Sequence, residues 1–176
     1  MDFQGHIQVY TGNGKGKTTA ALGLALRAAG RGMKTYMAQF LKKGEYGELL
    51  VVRERLADLI TIQQFGLPEF HHMKNGVSAA EVKAAEAGLA AAGAALAAGE
   101  YRIVVLDEIN TLLHFQIVAI EPLLQLMERK PANVELVLTG RYAPQAILDR
   151  ADLVTEMKEI RHYFQKNIQA RTGIEK

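Results

Sequence analysis

Tyr10-Thr11-Gly12-Asn13-Gly14-Lys15-Gly16-Lys17-Thr18-Thr19 follows a short apolar run, Ile7-Gln8-Val9-Tyr10, and leads into an Ala/Leu-rich helical pattern. Strand, glycine loop and helix in that order make a phosphate-binding loop. Gly12, Gly14 and Gly16 let the backbone turn tightly and aim several N–H groups inward. The helix that follows presents its positive end to the same point. Lys17 adds a point charge for phosphate oxygens, and the Thr18 hydroxyl is placed to ligate Mg2+. The usual pattern G-x-x-x-x-G-K-[ST] sets its first glycine at position 11, where this chain has Thr11 and delays the glycine to Gly12.

Outward from the loop, residues 6–11 read as a first strand and residues 17–31 as a helix, with Ala21, Leu22, Ala25, Leu26 and Ala29 along one face. Gly30 and Gly32 end it, and residues 33–40 form a second strand. Residues 41–47 make a polar loop at that strand's carboxyl end, where open parallel sheets collect ligands. Lys42 and Lys43 there either reach phosphate or are solvated surface lysines. A helix over 48–57 and a strand over 59–65 follow, then a loop over 66–76 that suits a lid or pocket wall. The adjacent His71 and His72 in it have no third ligand nearby, which argues against a metal site. Ser78-Ala79-Ala80-Glu81 is a capping box that opens a long helix to Ala98, stopped by Gly99.

Arg102-Ile103-Val104-Val105-Leu106-Asp107-Glu108 is a buried-type strand ending in two carboxylates, the form of a Walker B strand. Taken alone, the acid pair equally suits a helix cap. Combined with the glycine loop it favours Mg2+, held directly or through water. Ile120, Leu123, Leu124 and Met127 mark an amphipathic helix with Pro122 in its first turn. Residues 134–139 form a strand running into Gly140-Arg141, residues 143–150 a short helix, residues 153–156 a last strand, and residues 157–176 a polar tail. Strands and helices thus alternate without linker or internal repeat. The fold class is α/β, a single doubly wound domain over residues 1–176 with a mainly parallel sheet.

Composition bounds the function. The 176 residues carry a net charge of +2, too small for a strong nucleic-acid field, and no cysteine, which excludes disulfides and thiolate metal sites. No apolar run approaches the roughly 18 residues of a membrane span, and Met1-Asp2-Phe3-Gln4-Gly5 has no secretory character. A cytoplasmic location without membrane or nucleic-acid partners is expected.

The motifs together resemble a known family. Thr11 to Ala21, Gln39-Phe40-Leu41-Lys42, Leu106-Asp107-Glu108-Ile109-Asn110, Leu138-Thr139-Gly140-Arg141, Ala151 to Met157, Arg161-His162 and Gly173-Ile174-Glu175 are similar to the P-loop corrinoid adenosyltransferases. That resemblance implies a RecA-like fold and transfer of the 5′-deoxyadenosyl group of ATP to Co(I) of a reduced corrinoid, with release of triphosphate. It implies that Gly12, Asn13, Gly14, Lys15, Gly16, Lys17, Thr18 and Thr19 bind the nucleotide, with Arg27 and Arg141 near it. It further implies that Lys17, Thr18 and Glu108 carry the catalysis, Thr18 and Glu108 on Mg2+ with Asp107 behind them. Some members displace the corrinoid's lower axial ligand with aromatics in the loop after the third strand; here Phe65, Leu67 and Phe70 are the candidates. The family's homodimers and a flavin-dependent reductant protein complete the expectation. A P-loop ATPase or kinase cleaving the terminal phosphate is the alternative, and a RecA-like single-strand binder is disfavoured by the small charge.

Overall fold

β2 (Thr35–Phe40), β4 (Ile103–Asp107) and β5 (Glu135–Thr139) are buried along their whole length, as central strands are when helices cover both faces of a parallel sheet. The computed structural model describes residues 3–67 and 76–175. Its sheet is completed by β1 (Ile7–Thr11), β3 (Ile60–Phe65) and β6 (Leu153–Glu156) in the order β3-β2-β4-β5-β1-β6. Every pairing is parallel, so the sheet is wholly rather than mainly so. Parallel neighbours need crossover connections, supplied by α1 (Lys17–Ala29), α2 (Gly47–Val51), α3 (Ala79–Ala97), α4 (Ile109–His114), α5 (Glu121–Glu128) and α6 (Gln145–Leu148). The order sets β5 between the glycine-loop strand and the Asp107 strand, a RecA-like arrangement.

Alternation along the strands divides the core. Val104, Leu106, Leu136 and Leu138 pack with Ala85 and Ala92 of α3 and Leu123 of α5. Ile103, Val105 and Val137 pack with Ala21 and Ala28 of α1 on the other face. Asp107 and Thr139 share the parity of this second set, so both side chains stand on the face that carries the glycine loop.

The helix expected over 48–57 starts one residue earlier and relaxes after Val51 into a π-helical turn, Val52–Leu56. The helix expected over 143–150 contracts to the four residues of α6. The capping box of α3 forms as expected: the Glu81 N–H donates to Ser78 Oγ at 3.2 Å and the Ser78 N–H to Glu81 Oε2 at 2.7 Å. α4 was not foreseen, because its apolar residues continue the run of β4 without a break in composition. The tail over 157–175 adds only a 3-10 turn, Tyr163–Lys166, and folds back across the glycine loop. No helix among the described residues is long and apolar enough to cross a membrane.

Candidate nucleotide-binding site

Thr11 closes β1 and is paired in register with Glu156 of β6, so the strand runs one residue further than the usual phosphate-loop pattern allows. This accounts for the delayed glycine. Gly12 has φ +90, and a Cβ there would lie 2.5 Å from the Met157 carbonyl oxygen. The Met157 N–H donates to the Thr11 carbonyl at 2.8 Å and the Gly14 N–H to the Met157 carbonyl at 2.6 Å. The start of the tail is thereby laced to the loop, and Thr11 Oγ1 accepts from the Ala143 N–H at 3.3 Å.

α1 begins directly after Gly16 with no side-chain cap, so its first amides are free donors at the positive end of a 13-residue helix. Lys17 is buried, with Nζ donating to the Gly12 and Gly14 carbonyls at 2.7 Å each. Burial lowers its pKa from the ordinary lysine value; the nearby Glu108 opposes that and Arg141 adds to it. A buried lysine flanked by carboxylate and guanidinium groups is poised for anionic oxygens.

Opposite the loop, Asp107 is fully buried at the end of β4. Its Oδ1 accepts from Thr18 Oγ1 at 2.9 Å and from Thr139 Oγ1 at 2.7 Å, and its Oδ2 from Lys42 Nζ at 2.7 Å. Glu108, one residue on, adopts φ 68, a left-handed conformation costing about 1–2 kcal/mol in a non-glycine residue. Its N–H donates to Thr139 Oγ1 at 2.9 Å and its Oε2 accepts from Thr111 Oγ1 at 2.6 Å. Thr111 Oγ1 also accepts from the Arg141 N–H at 3.1 Å. Two threonines therefore hold the strained turn that swings Glu108 to the cleft while Asp107 stays behind.

Loop, Glu108 and tail bound a cleft of about 420 Å³, whose walls include Lys15, Lys17, Thr18, Lys42, Glu108 and Arg141. Gly16 and Thr19 also line it, and Asn13 is exposed at the loop's tip. Arg27 does not line it: it stands exposed on the last turn of α1, ten residues or about 15 Å along the axis from Lys17. Phe65 and Leu67 line instead a narrow crevice of about 20 Å³ with Leu41, and the Phe65 ring lies 6.1 Å from that of Phe40. Phe70, like His71 and His72, falls outside the described residues.

The donors fit a magnesium ion. Thr18 hydroxyl and carboxylate oxygens are the hard ligands it takes, and a cation, the Lys42 ammonium, already stands on two of these groups. Among the described residues no three His, Cys, Asp or Glu side chains converge into a metal cage. Mg2+ suits such a site, because it uses one or two protein groups and completes its shell with phosphates and water.

Thr139 and Thr111 carried no signal of their own in the sequence, since threonine at a strand end or in a helix's first turn is commonplace. The tail's part was also invisible to periodicity. Lys15 Nζ reaches the Ile174 carbonyl at 3.3 Å and Glu175 Oε1 at 3.2 Å, while Arg171 pairs with Glu175 and lies over the Tyr163 ring. Arg171 holds the Glu175 carboxyl down at about 2. His162, Gly173, Ile174 and Glu175 so become cleft walls.

A model of the ATP:corrinoid adenosyltransferase family BtuR/CobO/CobP matches residues 3–175. A corrinoid adenosyltransferase of Pseudomonas aeruginosa is 34% identical over 175 residues, covering 99% of this chain and 85% of that protein. One of Escherichia coli K12 is 32% identical over 182 residues, covering 99% and 87%. An uncharacterized protein of Nostoc is 32% identical over 180 residues, covering 96% of this chain, which spans only 47% of that longer relative. With its glycine loop, acid pair, Gly140-Arg141 edge and returning tail all within the matched region, the chain belongs to the ATP:corrinoid adenosyltransferase family.

Proposed function

We propose that the cleft binds MgATP with its triphosphate in the Gly12 to Thr19 loop and presents C5′ to the Co(I) of a reduced corrinoid. Co(I) supplies the electron pair of the new cobalt–carbon bond, the C5′–O bond breaks, and triphosphate leaves with that bond's electrons. The observation that carries this reading is the convergence of Lys15, Lys17, Lys42 and Arg141 on one cleft. A triphosphate leaving whole needs its charge neutralised along its length, and the corrinoid is itself the nucleophile, so the protein has to bind and orient.

Lys17 lies where it exchanges the Gly12 and Gly14 carbonyls for phosphate oxygens, and the free amides of α1 hold the same group. Thr18 and Glu108 are the groups that would hold Mg2+, with Asp107 fixing the Thr18 hydroxyl from behind. The ion, when bound, neutralises charge on the departing oxygens. Arg141 lines the same cleft, while Arg27, about 15 Å along the α1 axis from Lys17, stands away from it and is assigned to the nucleotide by the family resemblance alone. The resemblance assigns Phe65, Leu67 and Phe70 to the corrinoid side; of the described pair, Phe65 and Leu67 line a crevice with Leu41, while the adjacent Lys42 lines the nucleotide cleft. The resemblance to the family also supports a single catalytic domain with residues 157–176 as its tail, a homodimer, a cytoplasmic setting and a flavin-dependent reductant protein.

The test is anaerobic incubation with MgATP and chemically reduced corrinoid, following loss of the Co(I) absorbance and assaying the phosphorus product. Triphosphate with an adenosylated corrinoid is expected. ADP with inorganic phosphate would sink the reading and leave a γ-phosphate-cleaving enzyme.

A further inference from the structure

Lys42 is placed with more care than a surface lysine needs. Leu41 before it adopts φ 56, a left-handed kink that turns the chain back over the end of the sheet. Gly66, at the end of β3, lies so close that a Cβ there would meet the Lys42 carbonyl oxygen at 2.5 Å and its nitrogen at 2.6 Å. The backbone of Lys42 is thus fixed from both sides. Its side chain is 19% exposed, runs beside the Tyr46 ring at 5.9 Å, and ends with Nζ 2.7 Å from Asp107 Oδ2 and 3.1 Å from Thr18 Oγ1.

These are the hydroxyl that would hold the metal and the buried carboxylate that fixes that hydroxyl from behind. Asp107 has no exposure and needs a compensating charge at all times, since a buried carboxylate without one is strongly unfavourable. An ammonium and a divalent cation cannot share a Thr18 hydroxyl and a carboxylate a few ångströms apart, because like charges at that range repel strongly. Lys42 has somewhere to go, because its residue also lines the cleft that takes the triphosphate.

We propose that the Lys42 ammonium is the resident counter-ion of this site when no nucleotide is bound, and that it is exchanged for the divalent ion arriving on the triphosphate. The lysine keeps the free metal out and keeps Thr18 and Asp107 in register until the nucleotide brings its own cation. Metal therefore loads only as the nucleotide complex. The inference rests on the magnesium reading of Thr18 given above, and its test separates the two.

The experiment titrates Mn2+ alone into the full chain and counts free Mn2+ by electron paramagnetic resonance. The wild type is expected to bind none without nucleotide. Lys42→Met is expected to bind Mn2+ alone at least about tenfold more tightly than any wild-type affinity, and to lose that gain in Lys42→Met/Asp107→Asn. Thermal melts with and without Mn2+ give a second readout: the metal should raise the Tm of Lys42→Met and leave the wild type unmoved. Should Lys42→Met fail to fold, Lys42→Gln takes its place. Equal Mn2+ binding by wild type and variant, or none by either, overturns the exchange. Mn2+ that elutes with the wild type and ATP from a desalting column, above a protein-free MnATP control, checks the underlying metal reading independently, and its absence there would remove that reading.

Discussion

Thr139→Val removes one oxygen and keeps the side chain's shape, which makes it a sharp probe of the acid turn. Thr139 Oγ1 donates to Asp107 Oδ1 at 2.7 Å and accepts from the Glu108 N–H at 2.9 Å. A hydrogen bond to a charged group contributes about 1.5–3 kcal/mol, and an N–H left unpaired in a buried turn costs about 1–3 kcal/mol. Because the two overlap, the variant should lose about 3 kcal/mol in all. With a urea m-value near 2 kcal/mol/M, the midpoint of unfolding would fall by about 1.5 M. Thr139→Ser keeps both bonds and should lie within about 1 kcal/mol of wild type. The strained φ of Glu108 also depends on the lost bond, so Thr139→Val should lower kcat for adenosyl transfer more than it raises KM for ATP, while the serine variant restores both. Thr139→Val with a wild-type urea midpoint and wild-type kcat would refute the account of how Glu108 is held.

Lys17→Ala should lower the rate of triphosphate release by about 10²–10³-fold, the usual loss for one preorganised charge donor; an unchanged rate would remove the phosphate-loop assignment. Tyr36 is buried, which pushes its hydroxyl pKa up to about 12 from 10.0. The folded form thus keeps a proton the unfolded chain loses, and stability should decline between pH 10 and 12 by up to about 2–3 kcal/mol. Tyr36→Phe should abolish that slope in urea titrations, at a cost near 1 kcal/mol at pH 7 for the bond its hydroxyl donates to Gln63 Oε1. Glu175→Gln weakens the contacts with Lys15 and Arg171, both exposed, so global stability should hold while limited proteolysis cuts the tail sooner. Equal cleavage rates would show that the strap is not what orders it.

Much of this site is legible in the chain because its parts are backbone devices with residue signatures. The glycines, Lys17, Thr18 and the run ending in Asp107-Glu108 each sit on a strand end or helix start, where local pattern and tertiary position coincide. What stayed hidden depends on contacts between distant segments. Thr139 acts through a residue 32 positions away and Lys42 through one 65 positions away, and nothing local marks either as a partner of Asp107. The delayed glycine has its reason in β6, which pairs with β1 out to Thr11. Arg27 shows the converse: the residue is on the right helix, yet nearly three turns of rise carry it away from the phosphates.

The position of β1 inside the sheet governs the order in which the enzyme can be made. β1 precedes the other five described strands, yet both its neighbours, β5 and β6, lie roughly 130 to 145 residues later in the chain. At translation rates of about 5–20 residues per second, it waits on the order of ten seconds with both edges unpaired. The glycine loop that decides the fold is therefore among the last features to become structured, and Met157 must emerge before the loop has its backbone partner. A nascent chain stalled after β4 would carry the acid pair and the lysine that matches it, but no place to put ATP.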